Sequence, residues 1–540
     1  MRPTTLKSLG VIVLATVAAG LQAQVAVNFT VDVNRNRKPI NPLIYGTAYG
    51  TASQLSDLNA PLNRMGGNPT TRYNYQQNVD NRGADWYFES IPYASATPNA
   101  QVHTFVQNSK NGGAQPMLTI PMIDWIAKVG PNRTKLASFA VSKYGAQQYT
   151  DPGWPNAGNG VKPNGQFVIG NDKTDANTPN STTFQRGWMD NLIGRWGTAG
   201  NGGVRYYFLD NESSIWHYSH RDVQPEGLKM RDARQKMIDY ATMVKARDPQ
   251  AIVLGPEEWG WSGFFYSGFD QQAGQNNGWT FYPDRAANGN IDYAPYLLRE
   301  MRIKSQQVGR RLLDYFSLHY YPQGGEFSDD VSTAMQLRRN RSTRALWDAG
   351  YTDESWIADK VKLIPRMRGW VNSYYPGTPI ALTEYNCGAE RHINGATTQA
   401  DILGIFGREG LDLANRWVTP PTGSHAYNAM KMYRNYDGRK STFGETSVLA
   451  SSPSPDDNSI FAATRAGDGS VTIMVINKRL TSAINATINL TNVAGDRNVT
   501  AYQLTSTNRI TTLSPFRTRS SKITMTLPKQ SITLFVVGRN

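Results

Sequence analysis

Between Leu62 and Trp417 this chain alternates strand-like and helix-like stretches, and that alternation narrows the possible folds more than any other feature. The strand-like runs are Leu62–Gly66, Arg72–Gln76, Pro116–Met122, Val204–Leu209, Ala251–Gly255, Leu313–Tyr320, Pro379–Glu384 and Leu411–Trp417. Helical patterns fall between them at Ala100–Asn111, Phe184–Trp196, Pro225–Lys245, Tyr293–Val308, Glu354–Ser373 and Gln399–Glu409. Strands separated by helical crossovers build a parallel sheet. Eight of them predict an α/β fold, a (β/α)8 TIM barrel carrying insertions. The largest insertion, about residues 136–181, is rich in Gly and Asn. A loop of that length inside a compact domain is usually functional or braced.

The two ends of the chain follow a different period. Val25, Val27, Phe29, Val31 and Val33 alternate strictly with polar residues, the mark of a half-buried strand. The same alternation returns at Val471-Ile473-Val475, Ile484-Ala486-Ile488-Leu490, Ile523-Met525-Leu527 and Ile532-Leu534-Val536, with Gly, Asn and Pro turns between. Short strands at that spacing predict a sandwich. The expected organisation is therefore a barrel over 41–434 and an additional β-sandwich domain over 435–540. The segment 24–40 would supply an N-terminal strand to the sandwich.

Residues 1–23 read as an export signal: Arg2 and Lys7 precede the apolar run Gly10–Leu21, with Ala23 before the cut. That run is too short to span a bilayer, so a secreted chain, extracellular or periplasmic and free of the membrane after cleavage, is expected. The net charge of +14 is spread without a basic run or a nucleic-acid motif, so no nucleic-acid partner is expected. A single cysteine, Cys387, excludes an intramolecular disulfide and a thiolate zinc site.

Two strand ends carry the chemistry. VRYYFLDNE, Val204–Glu212, presents Asp210, Asn211 and Glu212 where the strand runs out, and PIALTE, Pro379–Glu384, presents Glu384 in the same way. Barrel active sites lie at the C-terminal ends of the strands, and two carboxylates across a cleft are what glycoside hydrolysis needs. The spacing alone is equally compatible with two solvated loop glutamates. Aromatic residues make up 11 % of the chain. Trp125, Trp154, Trp259, Trp261 and Trp417 lie beyond strand ends or in long loops, as sugar platforms would, although core packing also uses aromatics.

Seven stretches, in order, resemble glycoside hydrolase family 44. They are RMGGNPTTRYN at 64–74, DWYFESIP at 85–92, YYFLDNESSIWH at 206–217, GPEEWGW at 255–261, DYFSLHYYPQ at 314–323, LTEYN at 382–386 and QADILGIFGREGLDLANRW at 399–417. The resemblance implies a barrel plus β-sandwich and a retaining endo-β-1,4-glucanase, often a xyloglucanase. It matches Glu212 to the acid/base after the fourth strand and Glu384 to the nucleophile at the end of the seventh. Asn211 is then placed to bond the substrate 2-hydroxyl, Arg64 to orient the nucleophile, and Tyr320 or Tyr321 to lie beside it. Glu257 and Glu258 also follow a strand and are assigned to sugar binding or loop support. His217 and His220 are read as a structural pair or a contact at the cleft rim.

Met65, Tyr75 and Cys387 depart from the family pattern, which expects aromatic residues there, so substrate preference is open. The same machinery acting on xylan or mannan, or a non-catalytic carbohydrate-binding protein, are the alternatives. No cofactor is required for the chemistry. A structural Ca2+ at the oxygen-rich run from Asp151 is the one metal expected, on resemblance and loop composition. The expected partner is a polysaccharide substrate, bound by a monomer.

Overall fold

The computed structural model describes residues 25–539; the export signal expected at 1–23 lies outside them. Eight parallel strands close into a barrel: Gly46–Ala48, Leu62–Met65, Gln115–Ile120, Tyr206–Leu209, Ile252–Glu258, Tyr315–Tyr320, Ile380–Tyr385 and Leu413–Arg416. The ring shuts where the eighth strand pairs with the first, Asn415 against Gly46. At its floor Leu62, Met117, Tyr206, Phe208, Leu254, Ala381 and Leu413 pack together, so the barrel is filled and not a pore. A larger core lies between the barrel wall and the helices, among them Thr182–Trp196, Met230–Arg247, Tyr293–Gln307 and Ile393–Glu409.

One strand differs from expectation. The stretch Arg72–Gln76 is not part of the barrel. It follows the short helix Asn68–Thr71, and only Asn74 makes an isolated bridge, to Val79. Its Arg72 is buried and paired with Asp222 at 3.0 Å. The first barrel strand is instead Gly46–Ala48, three residues long, too few to show a period. A Cβ on Gly46 would meet Ala414 O at 2.5 Å, so the shortest strand is also one that excludes side chains.

The long insertion is not a bare loop. Leu136–Ala137 pairs with Glu89–Pro92, Thr150–Asp151 with Trp154–Gly158, and Asn177–Pro179 with Trp125–Ala127. The second region is an eleven-stranded antiparallel and mixed sheet built from Thr446 onward. Val25–Asp32 lies within it, parallel to Ile484–Thr491 and antiparallel to Thr446–Ser451. Its Val27, Phe29 and Val31 point into the sandwich core with Ile473, Val475, Ile488 and Phe535. Helix Ile393–Glu409 joins the two regions. Gly404 on it leaves room for the ring of Phe461, which a Cβ would approach to 2.2 Å. Asp401 pairs with Lys478 of the sandwich at 3.0 Å, both buried.

Candidate active site

The C-terminal strand ends deliver a closed set of charged groups to the barrel axis. Arg64 comes from the second strand, Asn211 and Glu212 follow the fourth, and Glu257 ends the fifth. His319 and Tyr321 come from the end of the sixth and Glu384 from the seventh. Side chains alternate along a strand, which decides between the two tyrosines. Ser317, His319 and Tyr321 share the face that meets the carboxylates. Tyr320 points the other way into the core, its hydroxyl without a partner.

Arg64 is fully buried. It donates to Glu384 Oε1 at 2.5 Å, to Glu257 Oε2 at 3.2 Å and to Asn211 Oδ1 at 3.3 Å. Glu384 Oε2 accepts from the Tyr321 hydroxyl at 2.7 Å. His319 ties the three glutamates together: Nδ1 lies 2.7 Å from Glu212 and 3.6 Å from Glu384, and Nε2 lies 3.1 Å from Glu257. A carboxylate oxygen of Glu212, one of Glu384 and a ring nitrogen of His319 all lie within 4.8 Å of one another.

Burial raises the Glu212 carboxyl above its ordinary range, the bond from His319 works against that rise, and the nearby Glu384 adds to it. For Glu257 burial also pushes upward, but His319 and Arg64 outweigh it and hold the carboxyl low. His319 is desolvated, yet Glu384, Glu212 and Glu257 together lift it to about 10, so it is an imidazolium donor near neutrality.

The backbone at these strand ends is held in an unfavourable region. Asp210, Glu212 and Glu257 have φ of +65°, +49° and +59°. Left-handed conformations of this kind cost about 1–3 kcal/mol each and need surrounding support. Asp210 supplies much of it. Its carboxylate accepts from Thr71 Oγ1 at 2.6 Å and from the backbone N–H groups of Met122, Ile123 and Asn211. The Glu212 N–H donates to Glu257 O at 3.0 Å. Glu258 turns away from the axis and accepts from Ser213 at 2.9 Å and Ser214 at 2.5 Å, which anchors the turn after Glu212. Burial raises both Asp210 and Glu258 to about 7, against these bonds.

Glu257 and Glu258 are therefore not sugar-binding groups. Both are fully buried and held by protein partners, and their part is support. Among the tryptophans, Trp417 stands beside the carboxylates: it packs edge-on against Tyr49 at 5.7 Å, with the Arg64 guanidinium 5.7 Å from its ring. Gly67 (φ +80°) is needed there, because a Cβ would lie 2.7 Å from the indole. Trp259 and Trp261 line a chamber of about 970 Å3 next to the Glu212 turn. Trp125 and Trp154 are placed otherwise. Trp125 packs against the main core on the strand paired with Asn177–Pro179, and Trp154 covers the Lys135 ammonium at 4.5 Å.

Met65 is 4 % exposed and lies in the core, since its neighbour Arg64 takes the inward face. Tyr75 packs on Phe184 at 4.9 Å, and the Cys387 thiol is pushed up to about 12 by burial. His217 lines the chamber, whereas His220 is buried beside Arg72. Asp151 accepts from Lys135 Nζ at 3.2 Å, and the same ammonium donates to Glu89 at 3.0 Å. The cation between these two carboxylates is thus the protein's own, and this donor set does not fit a divalent metal.

His319, Asp210, Ser213 and Ser214 were not singled out from the sequence. His319 was within reach: it sits two residues before Tyr321, so the strand period puts both on one face. Asp210 and the serines act through loop geometry, for which the sequence has no comparable signal.

The family model for glycoside hydrolase family 44 matches residues 79–324. The chain is 31 % identical over 502 residues to endoglucanase A of Paenibacillus lautus, covering 88 % of this chain and 66 % of that relative's length. Among solved structures, CelM2, a bifunctional glucanase-xylanase from a metagenome library, is 57 % identical. It superposes with a TM-score of 0.95 over 96 % of this chain and 100 % of that one. A family 44 xyloglucanase from Paenibacillus polymyxa is 29 % identical with a TM-score of 0.78, over 95 % of this chain and 100 % of that one.

Proposed function

Because this chain belongs to glycoside hydrolase family 44, we propose that it is a retaining endo-acting hydrolase of β-1,4-glucosidic bonds in glucans, xyloglucan and cellulose derivatives among them. The observation that carries the reading is the approach of the two carboxylates, with an oxygen of Glu212 and one of Glu384 within 4.8 Å. Retaining enzymes hold their two carboxyls about 5–5.5 Å apart, and inverting ones leave about 6.5–9.5 Å for a water.

In this reading Glu384 is the nucleophile, aimed at C1 by Arg64 and Tyr321, and Glu212 is the acid and then the base. His319 donates to Glu212 Oε1, which leaves Oε2 to carry the proton to the leaving oxygen. With Glu212 protonated, Arg64 and His319 balance Glu257 and Glu384, so the buried cluster is neutral before reaction. Asn211, oriented by Arg64 and by Asn68 Nδ2 at 3.4 Å from its own side chain, is positioned for the sugar 2-hydroxyl, a contact that strengthens in the transition state.

The test separates the two glutamates. Glu212→Ala should lower polymer hydrolysis by ~10²–10⁴, as expected for a lost general acid. It should spare glycosyl-enzyme formation from an aryl glycoside with a good leaving group. Added azide should then restore turnover and give a β-glycosyl azide of retained configuration. Glu384→Ala should abolish both activities. An inverted azide product from Glu212→Ala would exchange the roles.

A second reading has one specific support: the 57 % identical CelM2 is described as a glucanase-xylanase. On that ground β-1,4-xylan is the second substrate to assay. We also read the enzyme as an exported monomer. Among the described residues no helix is long and apolar enough to cross a membrane. Mass spectrometry of the secreted chain would locate the cut after Ala23, and light scattering would give its oligomeric state.

A further inference from the structure

The chamber beside Glu212 is built from only part of the rim. Its walls come from the segments after the third strand (Phe167–Asn171), the fourth (Ile215–Glu226), the fifth (Trp259–Trp279) and the sixth (Trp356). The segments after the seventh, eighth, first and second strands carry Glu384, Trp417, Tyr49 and Gly67, and none of these lines it. The cleft thus has two unlike arms meeting at the carboxylates. Glu212 runs directly into the Ser213–Ile215 turn, and Ile215 is part of the chamber wall.

Several of the chain's exposed large apolar side chains gather in this one place. Ile169 is 83 % exposed, Tyr218 62 %, Trp356 56 %, Phe167 52 % and Trp279 41 %. A contiguous exposed patch of this kind marks a ligand or partner surface. Two shielded polar atoms in the same walls, Trp259 Nε1 and His217 Nδ1, have no hydrogen-bond partner. Apolar ring faces together with unpaired donors and acceptors match a sugar ring, which is apolar on its faces and hydroxylated at its edge. At about 970 Å3 the chamber is at the top of the roughly 300–1,000 Å3 range of ligand pockets.

We propose that this chamber is an acceptor site for a β-linked glucan chain, and that the enzyme transfers glycosyl groups to sugars as well as to water. The inference rests on Glu384 carrying the glycosyl group, as proposed above. In the transfer step the acceptor 4-hydroxyl oxygen attacks C1, and its proton passes to the Glu212 carboxylate. The C1–O bond to Glu384 breaks, its electron pair stays on Glu384, and a new β-1,4 bond forms. A hydroxyl held in the chamber gains the advantage of an intramolecular reaction over free water.

The experiment uses an aryl β-cellotrioside as donor and a cello-oligosaccharide labelled at its reducing end as acceptor. Aryl release is followed together with mass spectrometry of the label. Elongated labelled products should appear and saturate with acceptor concentration. Trp279→Ala with Trp356→Ala, both at exposed positions, should lower the transfer-to-hydrolysis ratio ~10-fold at fixed acceptor. Aryl release with no elongation at any acceptor concentration overturns the acceptor site and leaves the hydrolase reading standing. Elongation that these substitutions do not change overturns the assignment to this chamber. A drop in kcat/KM that grows as the donor is lengthened from cellobioside to cellotetraoside would place the chamber on the donor side and overturn it too. Absence of aryl release from any donor removes the hydrolase reading and the inference with it.

Discussion

The mouth of the barrel and the core of the sandwich are built on opposite rules. In the sandwich Phe29, Val31, Ile473 and Phe535 are buried by plain alternation. Its shifted carboxyls all move down: Asp32 through the Asn34 N–H, and Asp437 and Asp468 because hydrogen bonds from Ser441 and Ser470 outweigh burial. At the mouth, Asp210, Glu212 and Glu258 move up because burial dominates, and three non-glycine residues carry positive φ. One region is optimised for stability. The other holds charge and strained backbone in place for chemistry, at the expense of stability.

That contrast can be broken by substitution. Glu384→Ala should take glucan hydrolysis to background while the melting temperature stays within a few degrees, since removing one of several buried like charges costs little net stability. Phe29→Ala should do the reverse. It should lose ~3–5 kcal/mol, the usual cost of truncating a buried Phe, with kcat unchanged in the fraction that remains folded. Denaturant melts and initial rates on both variants check this pair. A Phe29 variant that lost kcat with its fold intact would show the two regions to be coupled.

Gly66→Ala tests the mouth more finely. The new Cβ would lie 2.3 Å from the Arg64 guanidinium carbon, so Arg64 must move off Glu384. A displacement near 1 Å can cost ~10²-fold, and kcat on an aryl glycoside should fall by about that much. His319→Gln sharpens the same point through pH. Burial raises Glu212 and His319 opposes it, so removing His319 should move the alkaline limb of the rate profile upward as kcat falls.

Stability against pH carries a smaller signature. Asp210 and Glu258 bind a proton up to about pH 7 when folded and only to about 4 when unfolded. Between those values the folded state holds more protons, so stability should fall as pH rises from about 4.5 to 7. Glu258→Gln should flatten part of that slope in melts across the window, and an unchanged slope would count against the raised carboxyl. The smallest effect is expected from exhaustive chelation. With Lys135 already between Glu89 and Asp151, the melting temperature should not move.

Periodicity in the sequence was enough for the barrel and for the alternating strands at both ends of the chain, because those patterns follow local geometry: a period of two for strands and helical spacing between them. The strand-end glutamates Glu212 and Glu384 were legible for the same reason, and the family motifs added which role each would take. Gly46–Ala48 was not legible, because three residues show no period. The choice of Tyr321 over Tyr320, the turn of Glu257 inward and Glu258 outward, and the gathering of Arg64, His319 and three glutamates within hydrogen-bonding reach depended on tertiary structure. These depend on strand register, on positive-φ turns and on which charge partners meet. Such facts arise only when distant segments close the barrel, for no single segment holds both members of an ion pair.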